Sequence, residues 1–220
     1  MDEIVQVKNV TKRFGEETVL SDLSFSFESG KIYGLVGKNG SGKSVLCKLI
    51  AGVLHPNQGE IIVEGVLLEK GVFPPSIGVI LDNTGFLPGY SGFQNLKMLA
   101  SIRRRVTDED IRETLRLVGL EASGHKHYGK YSVGMKQKLA IAQAIMERPE
   151  LLLLDEPFNG LDADSVKNMR SLFRRLNREL GTTIIFTSHY AEDMEEISDC
   201  CYEVKDGKVT EVCRNERGTD

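Results

Sequence analysis

The rhythm of hydrophobic and polar positions changes along the chain. It opens on alternation, with Ile4, Val5, Val7 and Val10 followed by Leu23, Phe25 and Phe27, and shorter strand-like runs come at Gly59 to Val63 and Ile77 to Leu81. These runs predict an antiparallel sheet. From about Phe86 to Met146 the spacing becomes helical: Thr107-Asp108-Glu109-Asp110 has the form of a capping box, Gly119 that of a C-cap, and a helix through Ala140 and Ile141 runs to about Glu147, ahead of Pro149. This stretch is expected to be an inserted helical lobe.

Leu151 to Leu154 and Thr183 to Phe186 are apolar without alternation, as strands covered on both faces must be. Between them Ala163 to Leu180 is amphipathic and ends at Gly181, so the order is strand, helix, strand, a crossover unit with parallel strands. Asp206-Gly207 predicts a terminal hairpin between Cys200 to Lys205 and Lys208 to Cys213. The expected fold is α/β, a mostly parallel central sheet with a flanking antiparallel β subdomain. One domain should span residues 1–214, with the helical insertion at about 86–147 and a loose tail at 215–220.

Composition adds limits. In 220 residues, 40% hydrophobic content is enough for a real core, and a net charge of −4 gives no reason to expect a nucleic-acid partner. Arg103-Arg104-Arg105 reads as a solvated helix end. No apolar run approaches the roughly 20 residues of a membrane-spanning helix, and Met1-Asp2-Glu3 is not the basic start of a signal peptide, so a cytoplasmic location is expected. Cys47, Cys200, Cys201 and Cys213 lack metal-ligand spacing and are expected to be buried thiols.

The candidate chemistry centres on Gly37-Lys38-Asn39-Gly40-Ser41-Gly42-Lys43-Ser44, entered from the apolar run Ile32 to Val36 and left through the helix-like Val45 to Ala51, with Gly52 as its C-cap. Glycines let successive N–H groups turn toward one point, the following helix adds its positive end, Lys43 supplies a cation and Ser44 a hydroxyl for Mg²⁺. ATP or GTP is the expected ligand. Asp155 and Glu156 leave the carboxyl end of the Leu strand, where Asp155 can hold Mg²⁺ and Glu156 can polarise an attacking water. Tyr131-Ser132-Val133-Gly134-Met135 precedes a helix at which Ser132 fits a plain N-cap, and His189 follows the second buried strand.

Phosphate loop, capped helix, Asp-Glu pair and strand-end histidine, in this order, resemble the ATP-binding cassette family from about residue 3 to 210. On this resemblance Gly37 to Ser44, continued by Val45, correspond to the Walker A loop, Ser132 to Met135 to the signature, Leu151 to Glu156 to the Walker B strand, Asp162 to the D-loop and His189 to the switch histidine. Phe14 corresponds to the aromatic residue that stacks on adenine, beside its reading as an ordinary core Phe. Val133 and Met135 depart from the usual Leu-Ser-Gly-Gly-Gln, and Asp82 stands where the Q-loop glutamine would, a third candidate metal or water contact.

The resemblance implies an ATPase that uses ATP and Mg²⁺, pairs head to tail with a second cassette and drives a separate membrane-spanning permease from the inner face of the membrane. The form Tyr131 to Gln137 is similar to the bacitracin-resistance and lantibiotic-immunity branch of exporters. The alternative is a soluble cassette used as an ATP-gated assembly or scaffold module.

Overall fold

The computed structural model describes residues 2–81, 85–123, 125–189 and 191–214 of the chain, without the side chains of Ala191, Cys213 and Arg214. In chain order the elements are β1 (Glu3–Phe14), β2 (Glu17–Glu28), β3 (Ile32–Val36), α1 (Lys43–Ile50), β4 (Gln58–Val63), β5 (Val66–Leu67), β6 (Ile77–Ile80), α2 (Gly92–Arg103), α3 (Asp108–Leu117), α4 (Val133–Ile145), β7 (Leu151–Leu154), α5 (Ala163–Leu180), β8 (Thr183–Thr187), α6 (Ala191–Ile197), β9 (Cys200–Lys205) and β10 (Lys208–Arg214). Two short 3-10 turns, Glu121–Ser123 and Tyr128–Lys130, lie between α3 and α4.

The strands form two sheets. One is four-stranded and antiparallel, in the order β2-β1-β4-β5; the other is six-stranded, in the order β10-β9-β3-β8-β7-β6, with β9, β3, β8, β7 and β6 parallel and β10 antiparallel at the edge. The antiparallel sheet follows the predicted alternation except at Ile77 to Leu81. That run pairs in parallel with β7, Ile77 opposite Leu151 and Ile80 opposite Leu154. The misreading has a physical cause: β6 is an edge strand with Gly78 and Ile80 buried and Ile77 and Val79 half-buried, and this alternation is the same as a half-exposed antiparallel strand would show.

The apolar run of β7 splits by pleat between two cores. Leu152 and Leu154 join Ile184, Phe186, Leu139, Ile141 and Phe173 on the face covered by α4 and α5. Leu151 and Leu153 join Ile185, Leu46, Leu49 and residues of the antiparallel sheet such as Val7 and Phe27 on the other. Two covered faces are why this strand carries no polar position. The helices α2, α3 and α4 all fall between β6 and β7, as the predicted insertion requires.

Local signals set the helix ends. Thr107 and Asp110 close a reciprocal capping box at α3, and Gly119 follows it at φ 71°. Asp162 caps α5, which ends at Gly181 with φ 68°. Asp206 and Gly207, both at positive φ, turn β9 into β10. Cys47 and Cys200 are buried free thiols, but Cys201 is disulfide-bonded, contrary to the sequence expectation. The register sets Cys201 opposite Cys213, a cross-strand relation that spacing along one strand does not reveal.

Gly78 lets β6 sit directly on α4: a Cβ there would lie 2.0 Å from the Ala144 carbonyl oxygen. Gly78→Ala should therefore lower stability by about 1–3 kcal/mol, while Gly89→Ala, which would meet nothing within 4 Å, should change it by less than about 0.5 kcal/mol. Urea denaturation of the two variants checks this; equal midpoints would contradict the close packing of β6 on α4.

Candidate nucleotide site

The loop between β3 and α1 turns through backbone conformations that favour glycine. Gly42 sits at the N-cap of α1 with φ 106°, and a Cβ there would come within 2.9 Å of Leu20 Cδ2. At Gly37 a Cβ would stand 2.3 Å from the Val204 carbonyl oxygen and 2.7 Å from Ser41 Oγ. No side chain caps α1 and its first turn contains no acid, so its leading N–H groups and positive end are open to an anion. Lys43 is buried, its ammonium donating to the carbonyls of Gly37 (2.6 Å) and Lys38 (3.2 Å). Ser41 Oγ is buried with no hydrogen-bond partner, an orphan that a phosphate oxygen would satisfy.

A cavity of about 390 Å³ opens beside this loop, lined by Phe14, Val19, Asn39 to Val45, Glu156 and His189. Phe14 is 48% exposed with Lys12 Nζ 5.0 Å from its ring centroid, so it is not a core residue. Its open face suits a stacked base. Gly37 does not line this cavity. Lys38 lines a second one of similar size between the loop and the β9–β10 turn.

Parallel pairing of β7 with β8 builds the acidic end of the site. Because Leu154 lies opposite Phe186, the next residues, Asp155 and Thr187, come side by side. Thr187 Oγ1 donates to Asp155 Oδ1 at 2.7 Å and accepts from the Glu156 backbone N–H at 2.8 Å, so one hydroxyl orients both acids. Sequence reasoning missed Thr187; its signal was a hydroxyl residue ending one buried strand beside the acid that ends its neighbour. Glu156 takes φ 51°, and its Oε1 lies 2.7 Å from His189 Nε2, an ion-pair distance without hydrogen-bond geometry. Burial raises the Glu156 pKa above the usual carboxylate value, and Asp155 and Asp193 add to this, while His189 and Lys43 partly offset it.

Asp155 acts on the buried Cys47 thiol, one turn along α1 from Ser44, raising its pKa after the larger effect of burial. The hydroxyl of Ser44 and the carboxylate of Asp155 are hard oxygen donors that suit Mg²⁺ completed by water and phosphate. Among the described residues no group of three or more His, Cys, Asp or Glu gathers to hold a metal unaided. Asp82 lies outside the described residues.

Ser132, Val133, Gly134 and Met135 do not line the cavity. Ser132 Oγ accepts from the Met135 N–H at 3.2 Å and caps α4, and Val133 is 70% exposed. A Cβ on Gly160 would fall 2.5 Å from Val133 Cγ1, so Val133 packs on the loop ahead of Asp162. Asp162 accepts from the Ser165 N–H and hydroxyl, each at 2.9 Å, which lowers its pKa. A second residue missed in the sequence is Gln137, whose amide donates to the carbonyls of Glu156 (3.3 Å) and Pro157 (3.0 Å), tying α4 to the turn that carries Glu156.

Known proteins are similar to this chain in sequence and in fold. The family model described as ABC transporter matches residues 20–159. An uncharacterized ABC transporter ATP-binding protein, YybJ, of Bacillus subtilis is 42% identical over 207 residues, 94% of each chain. The bacitracin transport ATP-binding protein BcrA of Enterococcus faecalis is 37% identical, covering 96% of this chain and 69% of its own. Among solved structures, the ATP-binding cassette MJ0796 in a dimeric, post-hydrolysis state bound to ADP and Pi superimposes with a TM-score of 0.86 over 94% of this chain and 97% of that one, at 24% identity, a likeness of fold.

Lys43→Ala removes the cation at the centre of the cradle, together with its hydrogen bonds to the Gly37 and Lys38 carbonyls, from a loop whose turns are otherwise set by Gly37, Gly40 and Gly42 at positive φ. MgATP affinity should fall by at least about tenfold, given the roughly 1.5–3 kcal/mol of a charge-assisted hydrogen bond, with the thermal midpoint little changed. Calorimetric titration measures this, and wild-type affinity in the folded variant would exclude the loop as the phosphate site.

Proposed function

Because the chain belongs to the ABC transporter family and is one of its ATPases, we propose that it powers export through a separate membrane-spanning permease, by ATP-driven head-to-tail pairing with a second cassette. The observation that carries this reading is the separation of two halves of a site. Lys43, Ser44, Glu156 and His189 line one cavity, whereas the N-terminus of α4, capped by Ser132 and with no acid in its first turn, is not part of its lining. Such a helix end is suited to the phosphate held by another cassette.

The residues divide the work. Phe14 stacks the base, Asn39 to Val45 hold the phosphates, and Ser44 and Asp155 hold Mg²⁺, which supplies charge neutralisation on the phosphate oxygens. Glu156 receives a proton from the water that attacks the γ-phosphate, and His189 donates toward that phosphate as charge develops. Ser132, Val133, Gly134 and Met135 close on the nucleotide of the partner cassette, with Asp162 at the seam. ATP favours the closed pair and hydrolysis releases it, so the permease is shifted by the difference in nucleotide affinity between open and closed states.

Export is supported by the form of Tyr131 to Gln137 and by the relative named for bacitracin transport. A permease-facing surface is supported by exposed Leu87, Tyr90, Met98 and Ile102. Among the described residues no helix is long and apolar enough to cross a membrane, consistent with peripheral attachment on the cytoplasmic face. Residues 1–214 act as one nucleotide-binding domain, with the helical insertion at about 86–147 carrying this contact.

Glu156→Gln should retain ATP while turnover falls by about 10²- to 10⁴-fold, the range of a positioned general base. That protein should pass from monomer to dimer on adding ATP. A further Val133→Asp change, whose carboxylate suits the first turn of α4 but opposes a facing γ-phosphate, should abolish the shift. Sedimentation with and without ATP distinguishes the outcomes; dimerisation unaffected by Val133→Asp would remove the signature from the interface.

A base must be ionised to act, and the pKa of Glu156 is raised above 4.5. Turnover should therefore decline with falling pH at a higher pH than an ordinary carboxylate would impose. Residual turnover in Glu156→Gln should lose that limb. An acid limb of kcat unchanged by this substitution would assign the proton to another group.

A further inference from the structure

Behind the catalytic pair lies a buried ionic cluster that the proposed reaction does not use. Arg170 of α5 and Asp193 of α6 have side chains only 12% and 2% exposed. Arg170 Nε and Nη2 both donate to Asp193 Oδ1, Nε at 3.1 Å, and Nη1 reaches Glu196 Oε2 at 2.8 Å. The other oxygen of Asp193 accepts from the hydroxyl of Ser188, the residue before His189. The guanidinium carbon lies 5.9 Å from the ring centroid of Phe158, two residues beyond Glu156. One planar cation thus meets the turn that carries Glu156 directly, through Phe158, and the turn that carries His189 indirectly, through Asp193.

A buried ion pair is weak evidence for stability, since desolvation offsets most of its Coulomb attraction. Geometry is what the fork of a guanidinium supplies. Phe158 fixes where it lies, Asp193 fixes its direction, and Asp193 in turn holds Ser188. We propose that Arg170 is a positioning residue that sets the approach of His189 to Glu156 and the γ-phosphate, acting through Asp193 and Ser188 and never touching nucleotide. This rests on the catalytic roles of Glu156 and His189 given above.

Arg170→Lys keeps the charge opposite Asp193 but loses the fork and the flat face. MgATP affinity should stay within about twofold, because the cluster does not line the cavity, while kcat falls by about 10- to 100-fold, the cost of a misplacement near 1 Å. Asp193→Asn, of the same shape, should act in the same direction. The decisive measurement is the double variant. Once His189 is gone, Arg170 has nothing to position, so Arg170→Lys with His189→Ala should turn over no more slowly than His189→Ala alone. Losses that multiply, wild-type kcat in both single variants, or turnover lost in step with MgATP affinity and thermal midpoint would overturn the inference and mark the cluster as a brace of the fold. Wild-type turnover in His189→Ala alone would instead remove the role of His189, and this inference with it.

Discussion

The pairing of β7 with β8 is the constraint on which the site depends. Parallel strands carry their residues forward in step, so once Leu154 lies opposite Phe186 the polar residues that follow emerge together at one edge. Thr187 then shares its hydroxyl between Asp155 and the backbone of Glu156, and His189, two residues on, comes within 2.7 Å of Glu156. A shift of one residue would turn each of these side chains to the opposite face and bring apolar side chains to the edge in their place. The two cores hold the register: Leu151 and Leu153 are fully buried on one face, Leu152 and Leu154 on the other, so neither strand can slide without exposing one set.

That arrangement brings opposite charges to the two walls of one cavity. The open end of α1 and the ammonium of Lys43 form the positive wall, and Glu156 the negative one, with Asp155 next to it in sequence. A bare polyphosphate would gain at the first and be repelled at the second; Mg²⁺ held by Asp155 would lessen that repulsion. Glu156 is different, since burial already disfavours its charged form. A carboxylate whose pKa is raised by burial is a stronger base, and so better suited to accept a proton. The two adjacent acids are thereby separated in role by their surroundings, one steadied by the Thr187 hydroxyl, the other set in a left-handed turn beneath His189.

Much of this was legible before any coordinates because the relevant signals are local. The glycines of residues 37 to 44, the cap at Ser132, the helix from Ala163 to Gly181 and the unbroken apolar runs each express a backbone requirement within a few residues. Relations across strands were not legible. The run Ile77 to Leu81 reads as antiparallel because an edge strand of a parallel sheet shows the same alternation, and the position of Cys201 opposite Cys213 depends on a register. Thr187 and Gln137 were missed for the same reason. Each is an unremarkable polar residue in its own segment and acquires a role only from the neighbour that the fold supplies.

Gln137 also bears on how two nucleotide sites would influence one another. Its amide donates to the carbonyls of Glu156 and Pro157, so the turn bearing Glu156 and the helix that would face the phosphate of the proposed partner are joined by direct hydrogen bonds within one chain. Val133 adds a second connection on the same helix by packing on Gly160, in the loop that leads to Asp162. In this respect the departure from a glycine at position 133 tightens the link, since a glycine has no side chain to meet Gly160. In the proposed pair, the carbonyl of Glu156 is therefore tied directly to α4, the helix that would serve the other nucleotide. Closely packed elements transmit shifts because they cannot absorb them locally. Alternation between the two sites would then need no contact between the nucleotides, only a helix held at one end by its own site and presented at the other to its partner's.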